Sequence, residues 1–189
     1  ARAIFDIDIE FGDVGVAVNA IVSNETAHRL KSRRRSMAGP SGCGLCGIES
    51  IEHMTRDISP LQAAMLPSQA ALDKALSDMR HRQVVSQSTS GAHAAVWCDM
   101  DGNIVALRED VGRHNALDKL IGWHSLKPVD GFVLVSSRAS YEMVAKAATA
   151  GIGVLTAVSA PTSMAIETAR AANLKLIAFA SNGRHALYS

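Results

Sequence analysis

The chain has 189 residues, of which 48% are hydrophobic and 20% charged, with a net charge of +1. That composition excludes a disordered chain and suffices for a core; the near-neutral charge gives no electrostatic case for nucleic acid. Three cysteines are too few for a secreted disulfide framework, which points to a reducing compartment, and no apolar run reaches the ~20 residues a membrane span needs.

Residues 3–11 alternate apolar and acidic side chains after Ile4, the period-two signal of a half-buried strand. A Gly12-Asp13 turn leads to a second strand through Val14–Val18, and Ser23-Asn24-Glu25 opens a helix running to about Arg35. That helix ends in the basic run Lys31–Arg35, which reads first as a solvated helix end whose cations suit the C-terminal dipole and second as an anion or partner-docking patch. The opening residues, with no initiator Met, read as the middle of a strand and predict a piece of a longer protein.

A short helix is expected over 47–54 and an amphipathic helix over Ser68–Arg82, with Leu72, Ala75, Leu76 and Met79 on one face. Residues 83–91 are polar and read as a loop. Ala94–Cys98 and Asn103–Leu107 around Asp101-Gly102 give a hairpin signal. Helices follow over about His114–Trp123, Ser140–Ala150 and Thr162–Ala172, alternating with strands Gly131–Val135, Gly153–Val158 and Leu174–Ala180 and a last one at His185–Tyr188. Such alternation predicts an α/β fold with a mixed, mostly parallel sheet covered on both faces.

Loops at the carboxyl ends of such strands form the binding crevice. Here they carry Arg113, His114 and Asn115; Ser137, Arg138 and Ser140; Ser159 and Thr162; and Ser181, Asn182, Gly183 and Arg184. Arginines recurring at helix-opening loops suit phosphate oxygens, although N-capping accounts for Ser140, Ser159 or Thr162 one at a time. His93 suits either a core position or a site, His114 a ligand-facing one, and Cys98 a small buried hydrophobe.

Cys43 and Cys46 stand two residues apart in Pro40-Ser41-Gly42-Cys43-Gly44-Leu45-Cys46-Gly47. Flanking glycines let backbone N–H groups turn toward a thiolate. Half a zinc site, a dithiol–disulfide couple and a persulfide carrier all fit this spacing.

Four segments occur together in one order: Gly42–Gly47, Glu109–Lys119, Ser137–Met143 and Ser159–Ser163. With them the chain resembles the FdhD family of sulfur carrier proteins needed for formate dehydrogenase activity. The resemblance implies a single domain with a three-layer, cytidine-deaminase-like α/β/α fold. It divides into strands and helix over 1–35, the cysteine loop over 36–47, a helical connection over 48–90 and a ligand-binding core over 91–189.

It further implies a cytoplasmic homodimer, with no metal, nucleic acid or membrane, that takes sulfur from a cysteine desulfurase. The sulfur passes to the molybdenum bis-guanine-dinucleotide cofactor for formate dehydrogenase, and a GDP-like nucleotide is a surrogate ligand. Cys43 corresponds to the persulfide-bearing cysteine and Cys46 to its partner. The tail Phe179, Ala180, Ser181, Asn182, Gly183 and Arg184 falls where the family contacts the cofactor. Two other readings are weighed. A non-catalytic chaperone would use the cysteines structurally. A zinc-dependent deaminase-like hydrolase lacks its proton-shuttling carboxylate, because His93 is followed by Ala94-Ala95.

Overall fold

The computed structural model describes residues 3–13, 15–31 and 58–189. In chain order these form β1 (Ile4–Gly12), β2 (Gly15–Val22), α1 (Asn24–Lys31), α2 (Gln69–Arg82), α3 (Val84–Thr89), β3 (His93–Cys98) and β4 (Ile104–Asp110). Then come α4 (Arg113–Leu126), β5 (Phe132–Val135), α5 (Tyr141–Thr149), β6 (Val154–Ala157), α6 (Ser163–Ala171), β7 (Lys175–Ser181) and β8 (Arg184–Leu187). The Cys43/Cys46 loop, the helix expected over 47–54 and the basic run beyond Lys31 lie outside the described residues.

Six strands make one sheet in the order β4-β3-β5-β6-β7-β8. β5, β6 and β7 run parallel, while β3 is antiparallel to both β4 and β5, and β8 to β7. The sheet is therefore mixed as expected but not mostly parallel: three of its five pairings are antiparallel, because hairpin strands flank a parallel centre of β5, β6 and β7. Crossover helices α5 and α6 join the parallel strands, which is what parallel pairing requires.

Alternation along the strands sorts side chains to two faces. Ala95, Trp97, Val133, Val135, Leu155, Ala157 and Leu176 join α4, α5 and α6 in one buried cluster. Ala94, Val96, Cys98, Phe132, Leu134, Val154 and Ile177 meet Leu72, Ala75, Leu76 and Met79 of α2 in the other. The result is three layers, helix on sheet on helix. Each fully buried Leu or Met of α2 contributes about 1.5–3 kcal/mol by leaving water. Helix α2 starts at Ser68, whose Oγ accepts from Ala71 N at 3.1 Å. Ser68→Ala is expected to cost about 1 kcal/mol, read as a lower urea midpoint with an unchanged slope.

One element was not expected. Val84–Thr89, read as loop, forms the short helix α3. Its β-branched and hydroxyl residues are weak helix formers, and the compensation is tertiary. Glu109 of β4 accepts from Val85 N at 3.0 Å and from Ser86 N at 2.9 Å, satisfying first-turn donors from outside the helix.

β1 and β2 pair as their own antiparallel sheet. The predicted alternation is present: Ile7, Ile9 and Phe11 lie opposite Ala20, Val18 and Val16. The predicted half-burial is not, since β1 is exposed along its length and Phe11 is 84% exposed. No layer of described residues covers that apolar face.

Candidate functional site

Register places every predicted loop on one edge of the sheet. His93 pairs with Asp110, Ala95 with Val135 and Val135 with Ala157, so the start of β3 and the ends of β4, β5 and β6 align. β7 runs parallel to β6 and ends at the same edge. From β3 to β7 the edge spans three strand spacings, about 14 Å. An isolated parallel bridge between Ala139 and Pro161 carries the pairing past the strand ends. Ala139 N donates to Ala160 O and Thr162 N to Ala139 O, which ties the β5–α5 and β6–α6 loops together.

The β4–α4 loop is organised by Asp110. Its Oδ1 accepts from Gly112 N at 2.9 Å and Asn115 Nδ2 at 3.1 Å, and its Oδ2 from Lys119 Nζ at 2.6 Å. The Lys119 bond holds the Asp110 carboxyl below the usual carboxylate range. Much of the Glu109–Lys119 segment is thereby explained as scaffold: Glu109 holds α3, while Asp110, Asn115 and Lys119 fix the turn that delivers Arg113 and His114. Asn115, predicted to face a ligand, is engaged in that scaffold.

Helix α4 opens at Gly112 without a side-chain cap, and α5 opens at Ser140 without using the Ser140 hydroxyl as one. By contrast Ser68 and Thr162 cap α2 and α6 in the ordinary way. The Ser140 Oγ instead lies 3.5 Å from His114 Nε2, and Glu142 Oε2 lies 3.3 Å from the same nitrogen. Both side chains are largely buried. Burial, reinforced by Arg113 and Lys146, pushes the His114 imidazole down to about 4. His93 is also lowered, by burial and then Arg113. Arg113 Nε is buried with no hydrogen-bond partner among the described residues.

Further along the edge, Val158, Phe179, Ser181, Arg184, His185 and Ala186 line a cleft of about 460 Å³. The β7–β8 pairing is irregular between Ala178 and Ser181, and Phe179 has φ +53°, a left-handed conformation rare for an aromatic residue. The bulge leaves Phe179 48% exposed while its neighbours Ala178 and Ala180 are buried. Arg184 Nε donates to Ser181 Oγ at 3.2 Å. The turn is anchored to α2: Gly183 N donates to Asp73 Oδ1 at 2.9 Å, and His185 Nδ1 lies 2.7 Å from Gln69 Oε1.

Of the twelve predicted ligand residues, Phe179, Ser181 and Arg184 line this cleft, and Phe179 N donates to Ser159 O at 3.3 Å. Arg113 and His114 form the second cluster, three strands away. Arg138 is exposed on the loop between them. Ser137 is buried and turns its hydroxyl onto Arg138 O, Ala180 is buried, and Asn182 and Gly183 form the exposed turn. Cys98 is fully buried, and its thiol is pushed up to about 12 by burial and then Asp99, as suits a structural hydrophobe. Sequence reasoning passed over Glu142 and His185. Glu142 carried one signal, an acid in the first turn of a helix whose other residues are mostly apolar, Tyr141, Met143, Val144 and alanines, with Lys146 and Thr149 toward its end.

Known proteins match this chain along its length. The pattern of the FdhD/NarQ family fits residues 2–189. A protein named sulfur carrier protein FdhD from Bordetella bronchiseptica is 46% identical over 187 residues, 97% of this chain and 67% of that one. Its namesake from Cupriavidus necator is 45% identical over 192 residues, 100% of this chain and 67% of that one. The chain thus spans about two thirds of these relatives' length. A crystal structure from Desulfotalea psychrophila, assigned to the formate dehydrogenase accessory proteins, superposes with a TM-score of 0.71. It covers 99% of this chain and 70% of that one at 23% identity, and so speaks for the fold alone. Sequence pattern, curated relatives and fold converge: the chain belongs to the FdhD/NarQ family.

Proposed function

We propose that this chain is a sulfur carrier serving formate dehydrogenase, a sulfurtransferase that receives sulfur from a cysteine desulfurase as a persulfide on Cys43. Cys46 assists release, and the sulfur passes to the molybdenum bis-guanine-dinucleotide cofactor, which is the substrate. The names of the relatives support the carrier role and its client. The glycine-flanked pair Cys43/Cys46 supports the persulfide, since N–H dipoles favour thiolate. The protein works in the cytoplasm as a homodimer, and the apolar face of the β1–β2 hairpin, which no described residues cover, supports self-association. No helix among the described residues is long and apolar enough to cross a membrane.

The observation that carries the ligand half of this reading is Phe179. At positive φ and 48% exposed, Phe179 carries backbone strain of the kind that clusters at ligand sites. Beside Arg184 it offers a ring for stacking on a purine and a guanidinium for phosphate. Arg113 and Arg138 belong to loops at the same edge of the sheet. The test is calorimetric titration with GDP of wild type, Phe179→Ala and Arg184→Ala. Each variant is expected to weaken binding by about tenfold or more. Unchanged affinity in both would place the nucleotide elsewhere.

A further inference from the structure

In the cleft at the β7–β8 turn, Phe179 offers a ring face and Arg184 a guanidinium, and neither accepts a hydrogen bond. A nucleoside also carries N–H and O–H groups, which need an acceptor in the wall once they leave water. Val158 and Ala186 are apolar, and Ser181 Oγ already accepts from Arg184 Nε at 3.2 Å. Of the lining side chains, His185 remains.

The state of its ring is fixed by a chain of side chains that starts on α2. Gln69 Nε2 donates to Asp73 Oδ1 at 2.9 Å, one helical turn on, and Gly183 N donates to the same oxygen at 2.9 Å. A carboxylate only accepts, so the Gln69 amide turns its NH2 to Asp73 and its oxygen away. That oxygen lies 2.7 Å from His185 Nδ1 and can only accept. The neutral ring therefore carries its proton on Nδ1 and its lone pair on Nε2. A structural tie alone does not call for an imidazole here. The Gly183–Asp73 bond already pins the turn to α2, and His185 is exposed.

We propose that His185 is a specificity-determining residue of this cleft, with Nε2 accepting a hydrogen bond from an N–H or O–H group of the bound nucleoside. Gln69 and Asp73 are the positioning residues that hold the ring in the accepting tautomer. The proposal rests on the nucleotide reading above. Guanine supplies such a donor from its ring N–H and exocyclic amine, and ribose supplies one from its hydroxyls. A ligand that places an acceptor against Nε2 sets two lone pairs face to face and is rejected.

The test is calorimetric titration of the full chain with GDP, with ADP and with dideoxy-GDP, which lacks both ribose hydroxyls. Wild type, His185→Ala and Gln69→Ala are compared, and long-range proton–nitrogen correlation spectra read the tautomer of the histidine rings. Wild type is expected to hold His185 as the Nδ1–H form and to prefer GDP about tenfold over one of the two analogues. Loss of preference against ADP names the base as the donor, and loss against dideoxy-GDP names the sugar. His185→Ala is expected to bind GDP about tenfold more weakly and to lose that preference. Gln69→Ala is expected to mix the two tautomers and to lose part of the preference with His185 still in place, which a merely structural role would not do. No preference in wild type, or one that persists in His185→Ala while GDP binding still depends on Phe179, overturns this proposal and leaves the nucleotide reading standing. No GDP binding by wild type overturns both. An Nε2–H ring at His185 in wild type overturns the proposal by itself, whatever the variants do.

Discussion

Replacing Cys43 by alanine is expected to abolish activation of formate dehydrogenase while leaving thermal unfolding unchanged. The one cysteine among the described residues, Cys98, cannot stand in for it. Cys98 is fully buried, and its thiol is raised to about 12, so it is neither accessible nor ionised at neutral pH. Cys46→Ala is expected to retain loading and slow release, because a neighbouring thiol helps discharge a persulfide by closing a disulfide. The measurement is client activity restored in extracts lacking the endogenous carrier, with each variant's melting temperature as control. Full activation by Cys43→Ala would favour the non-catalytic chaperone reading.

The second large effect is on stability. Gly131, at φ +151°, immediately precedes β5, which pairs antiparallel beside β3. A Cβ there would lie 2.0 Å from Cys98 O and 2.8 Å from Trp97 Nε1. The nearest atom is backbone of Cys98, the last residue of β3 and paired with Phe132, so it cannot yield as a side-chain tip would. Gly131→Ala is expected to cost about 3 kcal/mol or more, from backbone strain and steric overlap together. At about 2–4 °C per kcal/mol for a chain of this size, melting should fall by about 10 °C. Trp97 stacks on His124 with centroids 3.8 Å apart, so indole fluorescence follows the same event. A melting temperature within about 2 °C of wild type would show that β3 and β5 separate more easily than their packing indicates.

The sequence made the core legible because its two periodicities are clean. Residues 93–189 alternate short apolar runs with helices of about three turns, and each predicted strand and helix there is present with ends shifted by a few residues. What it could not show were features made by distant partners. α3 exists because Glu109, more than twenty residues on, supplies its first-turn acceptor. The left-handed φ of Phe179 follows from a bulge against β8 and has no local signature such as glycine. Glu142 became part of a site only when α4 and α5 brought it to His114.

The same limit applied in the other direction. Arginine-bearing loops were legible as one edge, since α/β connectivity places them there, yet nothing in the residue pattern marked their split into two clusters. Asn115 and Ser137 looked like ligand donors by residue type, while hydrogen bonds to Asp110 and Arg138 O engage them in holding their loops. For the hairpin, alternation in Ile7, Ile9 and Phe11 identified the strand and its apolar face correctly. Alternation records that a face is apolar and says nothing of what covers it.

The central claim, that sulfur travels on Cys43, is tested most directly by intact mass after incubation with a cysteine desulfurase and cysteine. Wild type, Cys43→Ala and Cys46→Ala are compared. The account predicts a reductant-labile one-sulfur adduct on wild type and Cys46→Ala and none on Cys43→Ala. No adduct on folded wild type with an active desulfurase, or an adduct that survives in Cys43→Ala, would contradict it.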